Sequence, residues 1–187
     1  VTAPDGLLLV DKDLGITSHD VVSRVRRLAA TRKVGHAGTL DPMATGLLTV
    51  GVGKATRLLN YLVGADKTYE ATIRLGVGTD TEDAHGQVTQ VVAPDQVDLG
   101  RLQAAAAQLT GPISQVPSSF SAIKVNGVRA YDLARSGQEV ELEARQVTIH
   151  SFDLGQVNST SATYPGWGQV PVVDVKAQVS CSSGTYI

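Results

Sequence analysis

Short aliphatic segments, each too short for a buried helix, are the feature that most constrains the fold of this chain. GLLLVDK (6–12) and GLLTVGVG (46–53) are typical of buried strands. Two further segments, ARQVTIHSFDL (144–154) and VPVVDVKAQVSCS (170–182), are also predicted as strands. Because aromatic residues make up only 4% of the chain, the sequence predicts strands around an aliphatic core.

Helical patterns separate only some of these strands. Thr17 and Asp20 have the spacing of a capping box, ahead of apolar residues that recur at helical intervals. This pattern predicts a helix over residues 18–30. Two more helices are predicted, a short one over 54–64 and one over 98–111 that is capped by its first aspartate.

The remaining segments mix strand and loop signals. Residues 67–79 alternate between apolar and polar side chains and predict a strand, whereas 35–44 are predicted as loop. Residues 112–140 are predicted as a loop, a hairpin around Asn126 and Gly127, and a short helix. Because strands occur in runs as well as between helices, we expect a mixed α/β (α+β) fold in one domain rather than a regular doubly wound sheet.

Composition excludes several classes of protein. A net charge of −2 does not fit a globally basic nucleic-acid binder, although RVRRLAATRK (24–33) supplies five cations that form either a local basic face or an ordinary solvated helix face. The single cysteine, Cys181, cannot form an intrachain disulfide, and we expect a small buried side chain rather than a reactive thiol. No apolar run approaches the ~20 residues of a membrane span, so we expect a cytoplasmic protein.

Common cofactor and hydrolase motifs are missing from the sequence. The glycines near Lys54 do not have phosphate-loop spacing, no dinucleotide-binding glycine motif follows a strand, and no serine-nucleophile elbow is present. The four histidines have no partner at metal-ligand spacing. We therefore expect neither a metal ion nor an organic cofactor.

One carboxylate, Asp41 in HAGTLDPMATGLL (36–48), lies between a glycine turn and a proline. Aspartate before proline is common in turns, so Asp41 can be a turn residue or cap. It can also be a general acid or base, or a covalent nucleophile. Turn chemistry alone does not require both HAGTLDP before the carboxylate and ATGLL after it.

The segment RKVGHAGTLDPMATGLL (32–48) resembles the catalytic signature of the TruB family of pseudouridine synthases. GLLLVDK with GITSHDVV (6–22), ADKTYEATIRLGVGTDTEDAHGQV (65–88), VPSSFSAIKVNGVRAYDLARSG (116–137) and CSSGTYI (181–187) resemble its other motifs, in the same order. The resemblance implies the pseudouridine synthase fold, with a largely antiparallel central sheet flanked by helices and an RNA-binding insertion at about 112–140. It also implies conversion of a uridine in the T-loop of tRNA, at position 55, into pseudouridine.

The resemblance implies that Asp41 is the nucleophile of this reaction. Its carboxylate adds to the uridine ring or to the ribose C1′, the glycosidic bond breaks, and the base rotates and rejoins through C5. A free aspartate side chain is ionised at neutral pH, so it needs a fixed position and a nearby cation rather than a base. The target uridine must leave the RNA stack, at a cost of a few kcal/mol.

Four more residues receive roles by the same resemblance. Tyr69 stacks on the flipped base and assists loss of the C5 proton, His36 fills the gap that the extruded nucleotides leave, and Tyr186 contacts substrate. Asp83 orients an arginine against the nucleophile. The alternatives are a core or edge-strand tyrosine, a turn histidine, a packed strand tyrosine and a solvated acidic turn, respectively.

The remaining substrate contacts are cations that would hold RNA phosphates without reading sequence. The candidates are Arg57, Lys67, Lys124, Arg129 and Arg135, and the face could extend to Arg24, Arg27 and Arg32. The resemblance implies a tRNA T-arm stem-loop as the partner, a monomer that requires no other protein, no membrane association and no cofactor.

The sequence departs from the family pattern in two places. Asp13 follows Lys12 where the family usually has proline, which we expect to affect a turn rather than the chemistry. The family's active-site arginine comes directly after GTYI, so it would follow Ile187, together with further strands and an RNA-binding appendage. We expect weak activity at most from residues 1–187 alone and full activity from a chain that continues.

Three other functions compete with a tRNA isomerase. A non-catalytic RNA-binding or RNA-folding module would bind tRNA with the same salt dependence but would not need Asp41. A guide-RNA-dependent relative would require protein partners, and a small-molecule α/β enzyme would need one of the missing signatures. The RNA-binding insertion favours the stand-alone isomerase.

Overall fold

The computed structural model describes residues 4–94, 97–118, 121, 123–125, 127–130, 133, 136, 138 and 142–187. Its contacts divide the chain into two compact units, one ending at Ala65 and the other beginning at Asp66. Each unit contains its own antiparallel sheet.

The first unit is a three-stranded sheet with one long helix. Its elements are β1 (Gly6–Lys12), α1 (Ser18–Leu28), β2 (Val34–Ala37), β3 (Gly46–Val52), a 3-10 helix (Gly53–Arg57) and α2 (Leu59–Leu62). The strand order is β1-β3-β2, and both pairs are antiparallel. The core consists of valines of α1 packed against β2 and β3: Val21, Val22, Val25, Val34, Leu48, Val50 and Val52.

The predicted capping box of α1 is present. The Thr17 hydroxyl accepts the Asp20 N–H at 3.1 Å, and the Asp20 carboxylate accepts the Thr17 N–H at 2.8 Å. These bonds satisfy backbone donors at the helix start, where no carbonyl of the same helix is available. Helix α1 therefore begins at Ser18. The Ser18 side chain also binds the loop that carries Asp41.

Two glycines let α2 approach the sheet of the first unit. Gly35 in β2 and Gly51 in β3 are register partners. A Cβ at Gly35 would lie 3.2 Å from Leu59 Cδ1, and a Cβ at Gly51 would lie 3.1 Å from Leu59 Cγ. The buried Leu59 side chain thus occupies space that side chains at these two positions would fill.

The second unit contains a four-stranded sheet, two hairpins and a helix. Its elements are β4 (Lys67–Leu75), β5 (Val77–Thr79), β6 (Val88–Val91), α3 (Leu99–Gln108), β7 (Gly111–Gln115), β8 (Lys124–Val125), β9 (Val128–Arg129), β10 (Arg145–Tyr164) and β11 (Gly168–Cys181). The large sheet has the order β4-β11-β10-β7, and β5-β6 and β8-β9 form separate pairs. All of these pairings are antiparallel.

The predicted mixed α/β fold with antiparallel sheets is confirmed. Three local predictions are wrong, because pairing with a distant strand decided each of them. Residues 35–37, predicted as loop, belong to strand β2 since they pair with β3, and Gly111–Gln115 are strand since they pair with β10. The predicted connection between the last two strands is strand except for a turn at 165–167, because β10 and β11 pair as far as Tyr164 and Gly168.

Other predictions for the second unit are confirmed or lie outside the described residues. Asp98 caps α3 by accepting the Gly100 N–H at 2.8 Å. The β8-β9 hairpin occurs where the sequence predicts one, although Asn126 is not among the described residues. The helix predicted before Gly137 falls mostly outside them as well. Within the described residues no helix is both long and apolar enough to cross a membrane.

Candidate active site

Asp41 lies on an exposed loop, residues 38–45, between β2 and β3, which we call the Asp41 loop. The Ala44 N–H donates to the Asp41 carbonyl oxygen at 3.0 Å, so the turn is closed by backbone atoms. The carboxylate has no hydrogen-bond or ion-pair partner among the residues that the structure describes. The turn therefore leaves the carboxylate available for an incoming group.

Leu40, immediately before Asp41, is held by a buried serine. Ser18 is 2% exposed. Its hydroxyl accepts the Leu40 N–H at 2.9 Å and donates to the Leu40 carbonyl at 3.2 Å. Both backbone groups of Leu40 are thus bound by one side chain at the first residue of α1, which fixes the peptide that enters Asp41.

Pro42, immediately after Asp41, is held through its carbonyl oxygen. That oxygen accepts the Gly15 N–H at 2.7 Å and lies 3.5 Å from Lys12 Nζ. Lys12 is 1% exposed, and its ammonium group also donates to the carbonyls of Ile16 at 2.8 Å and Asp13 at 3.0 Å. A buried ammonium group is tolerable only when hydrogen-bonded, and here carbonyl oxygens serve as its acceptors.

His36 lies in β2, just before the Asp41 loop, and is half-buried. Its Nδ1 contacts the Gly38 carbonyl oxygen. Since a carbonyl can only accept, Nδ1 carries the proton, and in the neutral ring Nε2 is an acceptor. Gly38 has φ +95°, a conformation that favours glycine, and it turns the chain from β2 into the loop.

Two exposed cations of the first unit, Lys54 and Arg57, lie on its 3-10 helix. Arg57, at the end of the 3-10 helix, is exposed. Lys54 lies 3.8 Å from the Asp5 carboxylate, which also accepts the Lys54 N–H at 2.6 Å. Arg57 has no such partner among the described residues, which leaves its charge free to meet an anion.

Tyr69 lies in β4 opposite Val179, on the buried face of the large sheet. Its half-buried side chain packs against the cluster formed by Ile149, Val179 and Cys181. Lys67 is two residues earlier and therefore on the same face of the strand. The structure thus brings two of the predicted site residues of the second unit together.

Tyr186 is held by a side chain that the sequence interpretation missed. The Gln115 amide accepts the Tyr186 N–H at 2.9 Å and donates to the Tyr186 carbonyl at 2.8 Å. The Tyr186 side chain is 37% exposed. Gln115 therefore fixes the backbone of GTYI against β7 and leaves the phenol ring partly open to solvent.

Asp83 lies in the exposed turn between β5 and β6. Its carboxylate accepts the Thr81 hydroxyl at 2.7 Å and the His85 N–H at 2.8 Å. These bonds hold the turn together. The role of orienting an arginine stays a prediction, because the contacts of Asp83 that the structure describes are local.

The predicted phosphate contacts of the insertion are only partly described. Lys124 and Arg129 lie in β8 and β9, and only their backbone is described. Arg135 lies outside the described residues.

The Cys181 thiol matches the expected buried side chain. It is 1% exposed, and burial raises its pKa, with the Thr185 hydroxyl and Lys67 acting in the opposite direction. A raised pKa disfavours the thiolate, the reactive form. No group of three or more histidine, cysteine, aspartate or glutamate side chains in the described part of the chain is placed to hold a metal ion.

Sequence reasoning missed three anchoring residues, Ser18 and Lys12 in the first unit and Gln115 in the second. Their bonds join residues 22, 30 and 71 positions apart, so no local pattern reveals them. The only signals in the sequence were Lys12 at the end of the first predicted strand and Ser18 at the start of the first predicted helix. Both residue types are common at such positions.

Three comparisons place the chain among known proteins. The model of the TruB family pseudouridylate synthase N-terminal domain matches residues 26–187. The tRNA pseudouridine synthase B of Arthrobacter sp. (strain FB24) is 60% identical over 182 residues, 97% of this chain and 57% of that protein. The tRNA pseudouridine synthase B of Thermobifida fusca (strain YX) is 56% identical over 186 residues, 98% of this chain and 61% of that protein.

The fold is also similar to that of solved structures. A chain in the crystal structure of a Cbf5-Nop10-Gar1 complex matches with a TM-score of 0.64 at 25% identity, covering 97% of this chain and 41% of that one. The present chain thus spans between half and two thirds of the length of these curated relatives. By the match of its sequence to the family model, the chain belongs to the TruB family of pseudouridylate synthases and corresponds to their N-terminal domain.

Proposed function

We propose that this chain is the catalytic part of an isomerase that converts a uridine in the T-loop of tRNA, at position 55, into pseudouridine, with Asp41 as the nucleophile. One observation carries the proposal. Asp41 is exposed, its carboxylate has no partner in the described part of the chain, and its two neighbours are each held by a buried polar side chain. A fixed, accessible carboxylate is what covalent catalysis by aspartate requires.

The reaction balances without any added reactant. The Asp41 carboxylate bonds to the uridine ring or to ribose C1′, and the bond between N1 and C1′ breaks. After the base rotates, a bond between C5 and C1′ forms, the carboxylate leaves, the C5 proton departs and N1 gains a proton. Substrate and product are isomers, so the overall change involves no net oxidation and no group transfer to another molecule.

The other predicted site residues have roles in binding the RNA on this proposal. Tyr69 would stack on the flipped base and assist loss of the C5 proton, since stacking on an aromatic ring offsets the cost of removing a base from its helix. His36 would occupy the space that the extruded nucleotides leave, Tyr186 would contact the target nucleotide, and Asp83 would orient an arginine.

Cations would hold the phosphates of the T-arm. Arg57 is exposed in the first unit, and Lys67 is on the same strand face as Tyr69. Lys124 and Arg135 belong to the proposed RNA-binding insertion, residues 112–140, of a single catalytic domain. Such contacts position RNA and supply much of its affinity.

We further propose that the protein acts as a monomer in the cytoplasm and requires no protein partner. The relatives at 60% and 56% identity share the name tRNA pseudouridine synthase B. The Cbf5 structure, which is a complex with Nop10 and Gar1, is more distant at 25% identity. This difference in identity favours direct action on tRNA over the partner-dependent alternative.

The test is incubation with a T-arm stem-loop RNA, followed by carbodiimide labelling of pseudouridine. Two proteins are compared, the 187-residue chain and the same chain continued with the C-terminal part of the Arthrobacter protein. We expect product at the target uridine from the continued chain, and the shorter chain shows whether residues 1–187 are sufficient.

Asp41→Asn should abolish product while leaving RNA binding unchanged. The matched control is Asp11→Asn, which alters another exposed carboxylate of the first unit and should retain activity. Absence of product from both wild-type chains would refute the isomerase, and RNA binding without product would favour the non-catalytic alternative.

A further inference from the structure

An arginine surface, which we define as Arg24, Arg27 and Arg32, lies on the exposed side of α1 and on the segment that follows the helix. Two adjoining concave surfaces meet there, and Arg26 and Arg27 line both. Arg24 and Arg27 are three positions apart on the helix, so their side chains are neighbours on the side away from the buried valines. The surface is thus a local concentration of positive charge on a chain whose net charge is −2.

One carboxylate, Asp20, adjoins this surface, and within the described residues it forms no ion pair with any of the three arginines. Asp20, the acidic residue of the first turn, is within one helical turn of Arg24. Its carboxylate is occupied by the Thr17 N–H at 2.8 Å and the Thr17 hydroxyl at 2.6 Å. These bonds are the main cause of the lowered pKa of Asp20, and Arg24 contributes less. Arg24, Arg27 and Arg32 form no ion pair within the described residues, so an external anion would relieve their mutual repulsion.

Arg26, which adjoins the arginine surface, attaches helix α1 to the sheet of the first unit. Its guanidinium donates from Nη2 to the Val34 carbonyl at 3.2 Å, which ties α1 to β2. Its Nε is buried with no partner in the described part of the chain. Arg26 therefore serves packing, whereas the exposed Arg24 and Arg27 remain free to bind.

The position of the arginine surface relative to Asp41 indicates what it binds. Helix α1 begins at Ser18, whose hydroxyl is bonded to Leu40, the residue before Asp41. With a rise of 1.5 Å per residue, Arg24 lies about 9 Å and Arg27 about 14 Å further along the helix axis. An RNA strand that delivers one nucleotide to Asp41 has phosphates within that distance.

We propose that the arginine surface binds the phosphodiester backbone of the substrate RNA outside the nucleotide that enters the site. This inference rests on the proposed function and adds a second line of phosphate contacts to it. The surface contributes affinity and salt dependence, not chemistry, because Arg24 and Arg27 lie about 9 and 14 Å along the helix from the residue that anchors the Asp41 loop.

The test compares Arg24→Ala/Arg27→Ala with the wild-type chain in binding a T-arm stem-loop RNA at several salt concentrations. Each phosphate contact contributes about 0.7–0.9 to the slope of log K against log salt. We therefore expect the slope to become shallower by about 1.5 and binding to weaken by roughly 30-fold at 100 mM salt. Arg24→Lys/Arg27→Lys should retain most of the affinity, since lysine also binds phosphate.

The matched control is Arg101→Ala/Arg145→Ala, which removes the same charge from two exposed arginines of the second unit. An equal loss of affinity in this control, or no change of slope in Arg24→Ala/Arg27→Ala, would overturn the inference. Circular dichroism of each variant confirms that α1 is intact. A failed inference is distinguishable from a failed isomerase, because the binding slopes are measured independently of product, whereas a failed isomerase yields no product even from the wild-type continued chain.

Discussion

Replacing Ser18 with alanine would remove both hydrogen bonds that hold Leu40 beside Asp41. Ser18 is 2% exposed, so its hydroxyl is buried against the Asp41 loop. The change keeps the helix start, because the capping box is formed by Thr17 and Asp20 rather than by Ser18. The variant therefore isolates the anchor of the Asp41 loop from the stability of the helix.

The expected cost follows from the two bonds, at 2.9 and 3.2 Å. Each contributes about 1 kcal/mol net, and alanine returns up to about 0.5 kcal/mol through its higher helix propensity. The free energy of unfolding should fall by about 1.5–2 kcal/mol, or roughly 3–8 °C in Tm. A displacement of the loop by about 1 Å should lower the rate of product formation by about 100-fold, with little change in RNA affinity.

The assay is urea denaturation together with single-turnover modification of a T-arm stem-loop RNA. Ser23→Ala is the matched control, because Ser23 is an exposed serine on the same helix and should be neutral or slightly stabilising. If Ser18→Ala unfolds at the same urea concentration as Ser23→Ala and keeps the wild-type rate, the anchoring role of Ser18 is wrong.

Three further predictions concern stability and reactivity. Arg74 donates two hydrogen bonds of 2.7 Å to the Asp174 carboxylate and lowers its pKa. Asp174→Asn should therefore lower the free energy of unfolding at pH 7 by about 1 kcal/mol, a value discounted for the exposure of the pair. In urea denaturation, the difference between variant and wild type should vanish as pH falls below about 4. Gly51→Ala should destabilise by about 1–3 kcal/mol in the same assay, because its Cβ would meet three atoms at 3.1 Å, whereas Gly6→Ala, with open space around it, should not. The rate at which a thiol reagent labels Cys181 should not exceed the rate at which the chain unfolds, both measured in the same urea solution. Rapid labelling of the folded chain would contradict the burial of Cys181.

Elements with local signals could be predicted from the sequence. The β1 segment, the Thr17–Asp20 capping box of α1 and the Asp98 cap of α3 each depend on residues within one turn or one strand. Such signals act before any tertiary contact is made, and the structure retains them.

Elements that depend on a distant partner could not be predicted. VGHA is too short and too polar to indicate a strand alone, and β2 forms because β3 offers it an unpaired edge. Most of the residues that join the predicted strands at 144–154 and 170–182 form strand because they pair across the long β10-β11 hairpin, with residues 165–167 as its turn.

The candidate site shows the same division. The position of Asp41 in a turn was readable from the neighbouring glycine and proline, and its role from the resemblance of the surrounding motif. The anchors Lys12 and Ser18 were not readable, because only the fold brings them to Pro42 and Leu40.

The central claim is that the Asp41 carboxylate carries out the isomerisation, and release of the C5 hydrogen tests it most directly. A T-arm stem-loop RNA tritiated at C5 of its target uridine loses tritium to water only when C5 becomes the glycosidic carbon. In single-turnover measurements with the continued chain, Asp41→Asn should lower the rate of tritium release by about 1000-fold or more while the Kd for RNA stays within about 3-fold of the wild-type value. Tritium release by Asp41→Asn at the wild-type rate would contradict the proposed nucleophile.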